Sequence, residues 1–143
     1  MRHIRLSEEC DINIIMEIWL ESTIRAHSFI EKDYWVNNYD LVKTKYIPYS
    51  KTYVYEEGNK IKGFISIIQN NFIGALFVDN NSQGNGIGKK LLDFAKEEYK
   101  SLSLAVYKEN EKALKFYLRE GFSIVKEQVN EDSKRLELMM EYK

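Results

Sequence analysis

The chain has 143 residues, with 21 basic and 22 acidic side chains for a net charge of −1, and is 44% hydrophobic and 30% charged. That length suits one domain, spanning 1–143, with a real core, and the near-zero charge argues against nucleic acid as the principal partner. The single cysteine, Cys10, excludes an internal disulfide; no apolar run approaches the roughly 18 residues of a membrane span, and Met1 to Arg5 lacks the apolar stretch of a secretory signal, so no membrane association and a cytoplasmic address are expected.

Residues 2–6 alternate as a short strand would, with Ile4 and Leu6 on one face. From Asp11, the apolar residues Ile12, Ile15, Met16, Trp19 and Leu20 recur at three and four, which predicts an amphipathic helix running towards Thr23. Arg25 to Ile30 reads as a connection. A second helical segment, about 31–46, ends before the only proline, Pro48. Thr52–Glu57 and Lys60–Gln69 are rich in β-branched and aromatic residues and flank Gly58-Asn59, a two-residue hairpin signal. With a third strand from Phe72 to Asp79, these runs predict an antiparallel meander. Leu76-Phe77-Val78 is apolar on both faces, as in a strand near the middle of a sheet.

Beyond the next loop, Leu91, Leu92, Ala95 and Tyr99 share one side of a helix, and Ser101–Val106 reads as a strand. This strand, helix and strand order predicts a parallel pair joined by a right-handed crossover. Asn110 is placed to cap a further helix with Ala113, Leu114, Tyr117 and Leu118 on one face, and Gly121 sits where a helix end favours positive φ. Two last strands, about 121–128 and 134–142, flank the polar turn Asn130 to Ser133.

The loop before the crossover helix, Gln83-Gly84-Asn85-Gly86-Ile87-Gly88-Lys89-Lys90, holds three of the seven glycines. Without Cβ atoms, backbone N–H groups can converge on an anion, and the helix that follows adds its unpaired N–H groups and positive dipole end. Lys89 and Lys90 occupy a first turn that disfavours cations unless an anion compensates them, so the segment reads as a phosphate cradle. A Walker A loop is excluded by a spacing one residue short and by Lys90 where a Ser or Thr hydroxyl should stand. A dinucleotide fingerprint is excluded because the third glycine arrives one position early. A glycine-rich turn without a ligand remains the alternative.

Gln83-x-x-Gly86-x-Gly88, preceded by Leu76-Phe77-Val78 and followed by Asn110-x-x-Ala113-x-x-Phe116-Tyr117-x-x-x-Gly121-Phe122, resembles the GNAT superfamily of acetyl-CoA-dependent N-acetyltransferases. The resemblance implies an α+β fold: a mostly antiparallel twisted sheet of about seven strands, with one parallel splayed pair, flanked by about four helices. It implies a transfer of acetyl from acetyl-CoA to a primary amine by direct attack, without a metal. A non-catalytic acyl-CoA-binding module is the alternative. It further implies that Leu76, Phe77 and Val78 bond the pantetheine arm, with Val78 N–H on the thioester carbonyl. Gln83, Gly84, Asn85, Gly86, Ile87, Gly88 and Lys89 would hold the pyrophosphate, with Asn110 and Phe116 also against the coenzyme. Tyr117 would protonate the departing thiolate.

Two departures and one addition accompany that resemblance. Leu104-Ala105-Val106 stands where ribosomal-protein acetyltransferases of the superfamily place a glutamate base, so a water chain or a group from the N-terminal helices must replace it, with His27 and Glu31 as candidates. Asp79-Asn80-Asn81 replaces Val-x-Pro after the central strand. Ala26-His27-Ser28-Phe29-Ile30, with Tyr34 and Trp35, resembles a smaller bacterial subgroup that includes lysine and peptide acetylators, which makes His27, Phe29 and Trp35 the expected acceptor wall. Core packing is the competing reading for these aromatics. The chain is expected to act as a monomer or homodimer.

Overall fold

The computed structural model describes residues 3–143, the side chain of Asn70 excepted; Arg2, at the start of the first expected strand, lies outside the described residues. Seven strands form one sheet: β1 (Ile4–Leu6), β2 (Lys51–Glu57), β3 (Lys60–Ile68), β4 (Phe72–Val78), β5 (Leu102–Tyr107), β6 (Ser123–Val129) and β7 (Leu136–Tyr142), in the order β1-β2-β3-β4-β5-β7-β6. Every neighbouring pair is antiparallel except β4 and β5. The helices are α1 (Ile12–Ala26), α2 (Lys32–Asn37), α3 (Ile87–Glu98) and α4 (Glu111–Arg119).

The β2–β3 hairpin closes as its sequence predicts, with φ of 59° at Gly58 and 62° at Asn59, the pair of positive values a type I′ turn requires. The meander β2-β3-β4 then follows. Alternation sends Tyr53, Tyr55, Ile65, Ile67, Leu76 and Val78 to one face, against Ile87, Leu91, Leu92 and Ala95 of α3. Val54, Phe64 and Phe77 face the other way, onto Ile15, Met16, Ile18 and Trp19 of α1 and Trp35 of α2. A sheet covered on both faces explains why β4 is apolar throughout.

Three expectations need correction. The segment 31–46 is not one helix: α2 ends at Asn37, a short turn Tyr39–Leu41 leads into a π-helical stretch Val42–Tyr46, and Pro48 lies in a 3₁₀ turn, Ile47–Tyr49. Asn38 Nδ2 bonds Tyr34 O at 2.6 Å and Thr44 Oγ1 bonds Asp40 O at 2.7 Å, so polar side chains compete with the helical ladder. Leu118 is 45% exposed rather than on the buried face of α4, because it sits a full 100° around from Tyr117. Leu6 is also exposed, on a three-residue edge strand where Ile4 alone reaches the core.

Candidate active site

The parallel pair is where the sheet opens. β4 and β5 are in register at a single position, Phe72 with Ser103. Two residues beyond that point, β4 carries a bulge: Ile67 faces Ile73 and Ser66 faces Ala75, leaving Gly74 without a partner on β3. A bulge bends its strand and raises the local twist, which carries β4 away from β5 towards its C-terminal end. Asp79 N–H bonds Lys62 O on the β3 side at 2.7 Å, so strand alternation turns the N–H and C=O of Val78, and likewise of Leu76, towards the opened edge. Ser22 Oγ and Gln83 Nε2 each reach Val78 O at 3.4 Å, while Val78 N–H lies beyond the single position at which β4 pairs with β5.

The glycine run begins just past this edge. Gly84 (φ 86°) and Gly86 (φ 76°) both take the left-handed conformation, and Gly86 starts α3 with no side-chain cap. Among the described residues, no protein acceptor takes the N–H groups of Gly84 to Lys89, whereas Lys90 N–H bonds Gly86 O. An uncapped helix start preceded by free N–H groups is the kind of backbone that can accept an anion.

The two lysines do not contribute as their charges suggest. Lys89 Nζ lies 3.2 Å from both Asp93 and Glu120, and both bonds raise its pKa. Lys90 Nζ sits 5.7 Å above the Tyr55 ring. Compensation comes from within the protein, and Lys89 ties α3 to the end of α4. The case for an anion therefore stands on backbone N–H groups alone.

α4 faces this loop. Asn110 Oδ1 accepts Ala113 N–H at 3.3 Å and caps the helix, which closes on Gly121 at φ 96°. A Cβ placed on Gly88 would lie 3.7 Å from Val78 Cγ2 and 4.0 Å from Phe116 Cζ, so β4, α3 and α4 converge there. Phe116 packs edge-on to Tyr117, which in turn meets Phe122. Tyr117 is buried, its hydroxyl has no hydrogen-bond partner among the described residues, and desolvation pushes its pKa well above the ordinary phenol value.

His27, Phe29 and Trp35 come together at the end of α1, on the opposite side of the sheet from α3. The His27 ring lies 5.7 Å from Phe29 and 5.1 Å from Trp35. Tyr107 of β5 completes the cluster at 5.2 Å. Tyr107 escaped the sequence reading, although alternation from Ala105 along β5 puts it on this face. Trp35 belongs to the core, edge-on to Trp19, and its buried Nε1 has no hydrogen-bond partner among the described residues. Phe29 is partly exposed beneath Arg135, which donates to Phe29 O at 2.6 Å. Burial holds the His27 pKa below 6.5, against a smaller upward pull from Thr23 O. Glu31, the other candidate base, is exposed at the start of α2. Two surface grooves, of about 420 and 280 Å³, lie elsewhere: one between α1 and the β2–β3 turn, the other between β1 and α3.

This arrangement has known counterparts. Residues 35–141 match the acetyltransferase (GNAT) domain family. The chain is 38% identical over 122 residues to peptidyl-lysine N-acetyltransferase YiaC of Escherichia coli (strain K12), a match covering 85% of this chain and 84% of that protein. The solution structure of apo-form YjaB from Escherichia coli superposes with a TM-score of 0.85 at 27% identity, covering 97% of this chain and 95% of that one. A PaiA N-acetyltransferase from Thermoplasma acidophilum, crystallised in complex with coenzyme A, shares the fold with a TM-score of 0.82 at 21% identity, over 98% and 97% of the two chains. Motif, sheet order and the single-position β4–β5 pairing thus agree with the match, and the chain belongs to the GNAT superfamily of acetyl-CoA-dependent N-acetyltransferases.

Proposed function

We propose that the protein transfers acetyl from acetyl-CoA to the ε-amine of lysine side chains in peptides or proteins, by direct attack within a ternary complex. The observation that carries the transfer is the opening of β4 from β5 just ahead of a loop of free N–H groups, with the helix that carries Tyr117 approaching that loop at Gly88 through Phe116. The acceptor class rests on likeness to YiaC and YjaB, both named peptidyl-lysine N-acetyltransferases.

The residues fit an anionic head on an amide-bearing arm. The N–H groups of Gly84 to Lys89 suit a pyrophosphate, and the Leu76 backbone with the Val78 N–H, on the edge that β5 has left, suits an extended arm that bonds as a further strand would. Acetyl-CoA supplies a thioester whose carbonyl gains negative charge as the amine attacks. Val78 N–H is free to stabilise that charge, and losing one such donor typically costs about 2.7–4 kcal/mol. Tyr117 Oη keeps its proton at neutral pH and can give it to the departing sulfur. Asn110 and Phe116 shape the floor of the site, and Gln83 steadies Val78 O from the loop.

Ala105 offers no carboxylate where ribosomal-protein acetyltransferases of the superfamily place a glutamate. A lysine amine is only about one part in a thousand neutral at pH 7, so its proton leaves to solvent before attack, and acetylation should accelerate with pH until the acceptor is neutral. The test is a thiol-release assay with acetyl-CoA against lysine peptides, N-terminal peptides, polyamines, aminoglycosides and free amino acids. Turnover is expected on lysine peptides. Turnover only on another class would refute the acceptor, and coenzyme binding without amine-dependent thiol release would favour a non-catalytic acyl-CoA module.

A further inference from the structure

The hydrogen bonds around His27 form one directed chain. Nδ1 lies 2.8 Å from Thr23 O, and because a carbonyl only accepts, Nδ1 carries the proton of the neutral ring and Nε2 keeps its lone pair. Nε2 lies 3.4 Å from Asn110 Nδ2, which only donates. Asn110 Oδ1 accepts Ala113 N–H at 3.3 Å. Polarity therefore runs unbroken from Ala113 N–H through Asn110 and His27 to Thr23 O. It joins the last turn of α1 to the first turn of α4, one turn ahead of Tyr117.

We propose that His27 is a positioning residue for acetyl transfer: its neutral ring holds Asn110, and through Asn110 the start of the helix that carries Tyr117, and protonation releases this link. The proposal rests on the reading of Tyr117 as the acid of the reaction. A proton on Nε2 would set two donors face to face. Asn110 would then either withdraw or flip its amide, and the flip takes Oδ1 away from Ala113 N–H and uncaps α4. Either response loosens the start of α4 without any change at the reacting atoms.

The surroundings favour the neutral ring. Tyr107 of β5 is the titratable group in contact with it, beside the apolar Phe29 and Trp35 of the α1–α2 segment. Charged groups on the flanking elements have other partners: Arg135 bonds Glu109 at 3.1 Å and Phe29 O at 2.6 Å, Asp132 accepts from Tyr34 Oη at 2.5 Å, and Glu137, opposite Tyr107 on β7, accepts from Gln128 and Asn130. Glu31 is exposed at the start of α2. Among the described residues no carboxylate pairs with the ring, and burial lowers its pKa accordingly.

The experiment follows the Ala113 amide by ¹⁵N NMR and, in parallel, kcat/KM for acetyl-CoA, between about pH 5 and 8, in the unaltered protein, His27→Gln and His27→Phe. Glutamine offers an acceptor to Asn110 but does not titrate; phenylalanine offers none. In the unaltered protein the Ala113 amide should shift with the His27 ring at one midpoint, and kcat/KM should fall on the acid side of that midpoint. His27→Gln should abolish the pH dependence of the Ala113 amide and the extra fall of kcat/KM at the His27 midpoint, leaving only the slope set by ionisation of the acceptor amine, at a reduced rate. His27→Phe should weaken the exchange protection of the Ala113 amide at every pH. An Ala113 amide indifferent to the His27 titration, or a kcat/KM profile in His27→Gln that keeps the same break as the unaltered protein beyond the slope of acceptor ionisation, overturns the proposal. So does equal loss of turnover in both variants with the Ala113 amide unmoved, which would instead make His27 a direct proton acceptor. The NMR arm needs no acceptor, so it stands even if the lysine reading fails.

Discussion

Tyr117 and His27 are both buried, and burial acts on them in opposite directions because it always disfavours the charged form. The phenol is held protonated, and the imidazole is held neutral. Tyr117→Phe removes a hydroxyl with no hydrogen-bond partner among the described residues, so the melting temperature and coenzyme affinity should hardly change. Its kcat should fall about a hundredfold or more, as losing a general acid does. Stopped-flow or steady-state thiol release checks this. With the phenol pKa pushed up, kcat should show no basic limb from Tyr117 up to about pH 10. For His27 the sign runs the other way. Above the ordinary value of 6.5 both folded and unfolded chains hold it neutral; as pH falls, the unfolded chain takes the proton first. Stability should therefore decline from about pH 6.5 down through the lowered folded value, and His27→Gln should remove that part of the decline in pH-dependent melting.

At the level of elements, two glycines separate coenzyme binding from folding. Gly63 lies on β3 where α3 crosses: an added Cβ would stand 2.9 Å from Phe77 O, 3.3 Å from Ile87 Cγ2 and 3.4 Å from Leu91 Cδ1. The carbonyl belongs to the backbone and cannot step aside cheaply. Gly63→Ala should cost about 1–3 kcal/mol, as overpacking does, measured by urea unfolding. Gly88 is the contrasting case. Its added Cβ meets only ordinary contacts, and alanine favours a helix over glycine by about 1 kcal/mol. Gly88→Ala should fold at least as well, yet crowd the loop where a pyrophosphate would approach, raising the coenzyme Kd by roughly tenfold, which is about 1.4 kcal/mol. Calorimetric titration with coenzyme A reads the affinity, and unchanged affinity would remove Gly88 from the proposed cradle. Neither Gly63 nor the bulge at Gly74 is marked by the sequence. Their importance comes from β3, β4 and α3 meeting, and a lone glycine in a strand pattern says only that something crosses or bends there.

For the molecule as a whole, the sheet is complete except along the upper part of β4 and β5, and the proposed coenzyme site fills that gap. Acetyl-CoA at about a hundred times its Kd should stabilise the folded state by about 2.7 kcal/mol and raise the melting temperature by several degrees. A thermal-shift measurement tests this. No shift at saturating coenzyme would refute the proposed site without disturbing the fold. No helix among the described residues is long and apolar enough to cross a membrane.

What the sequence alone determined is local. The type I′ turn at Gly58-Asn59, the Asn110 cap, the positive φ at Gly121 and the two-faced apolar run of β4 all follow from a few neighbouring residues, because each is set by φ/ψ preference or by a fixed 2.0 or 3.6 period. The loop at 83–88 was legible for the same reason: its glycines and the helix start after it are consecutive. Side-chain partners were not. Lys89 looked like half of an anion site until Glu120, 31 residues away, appeared beside it. His27 and Asn110 are 83 residues apart, and the insertion of β7 between β5 and β6 pairs strands that are not sequential. Such contacts depend on which elements the sheet order brings together. Only the tertiary structure could decide where each charge and each lone pair is spent.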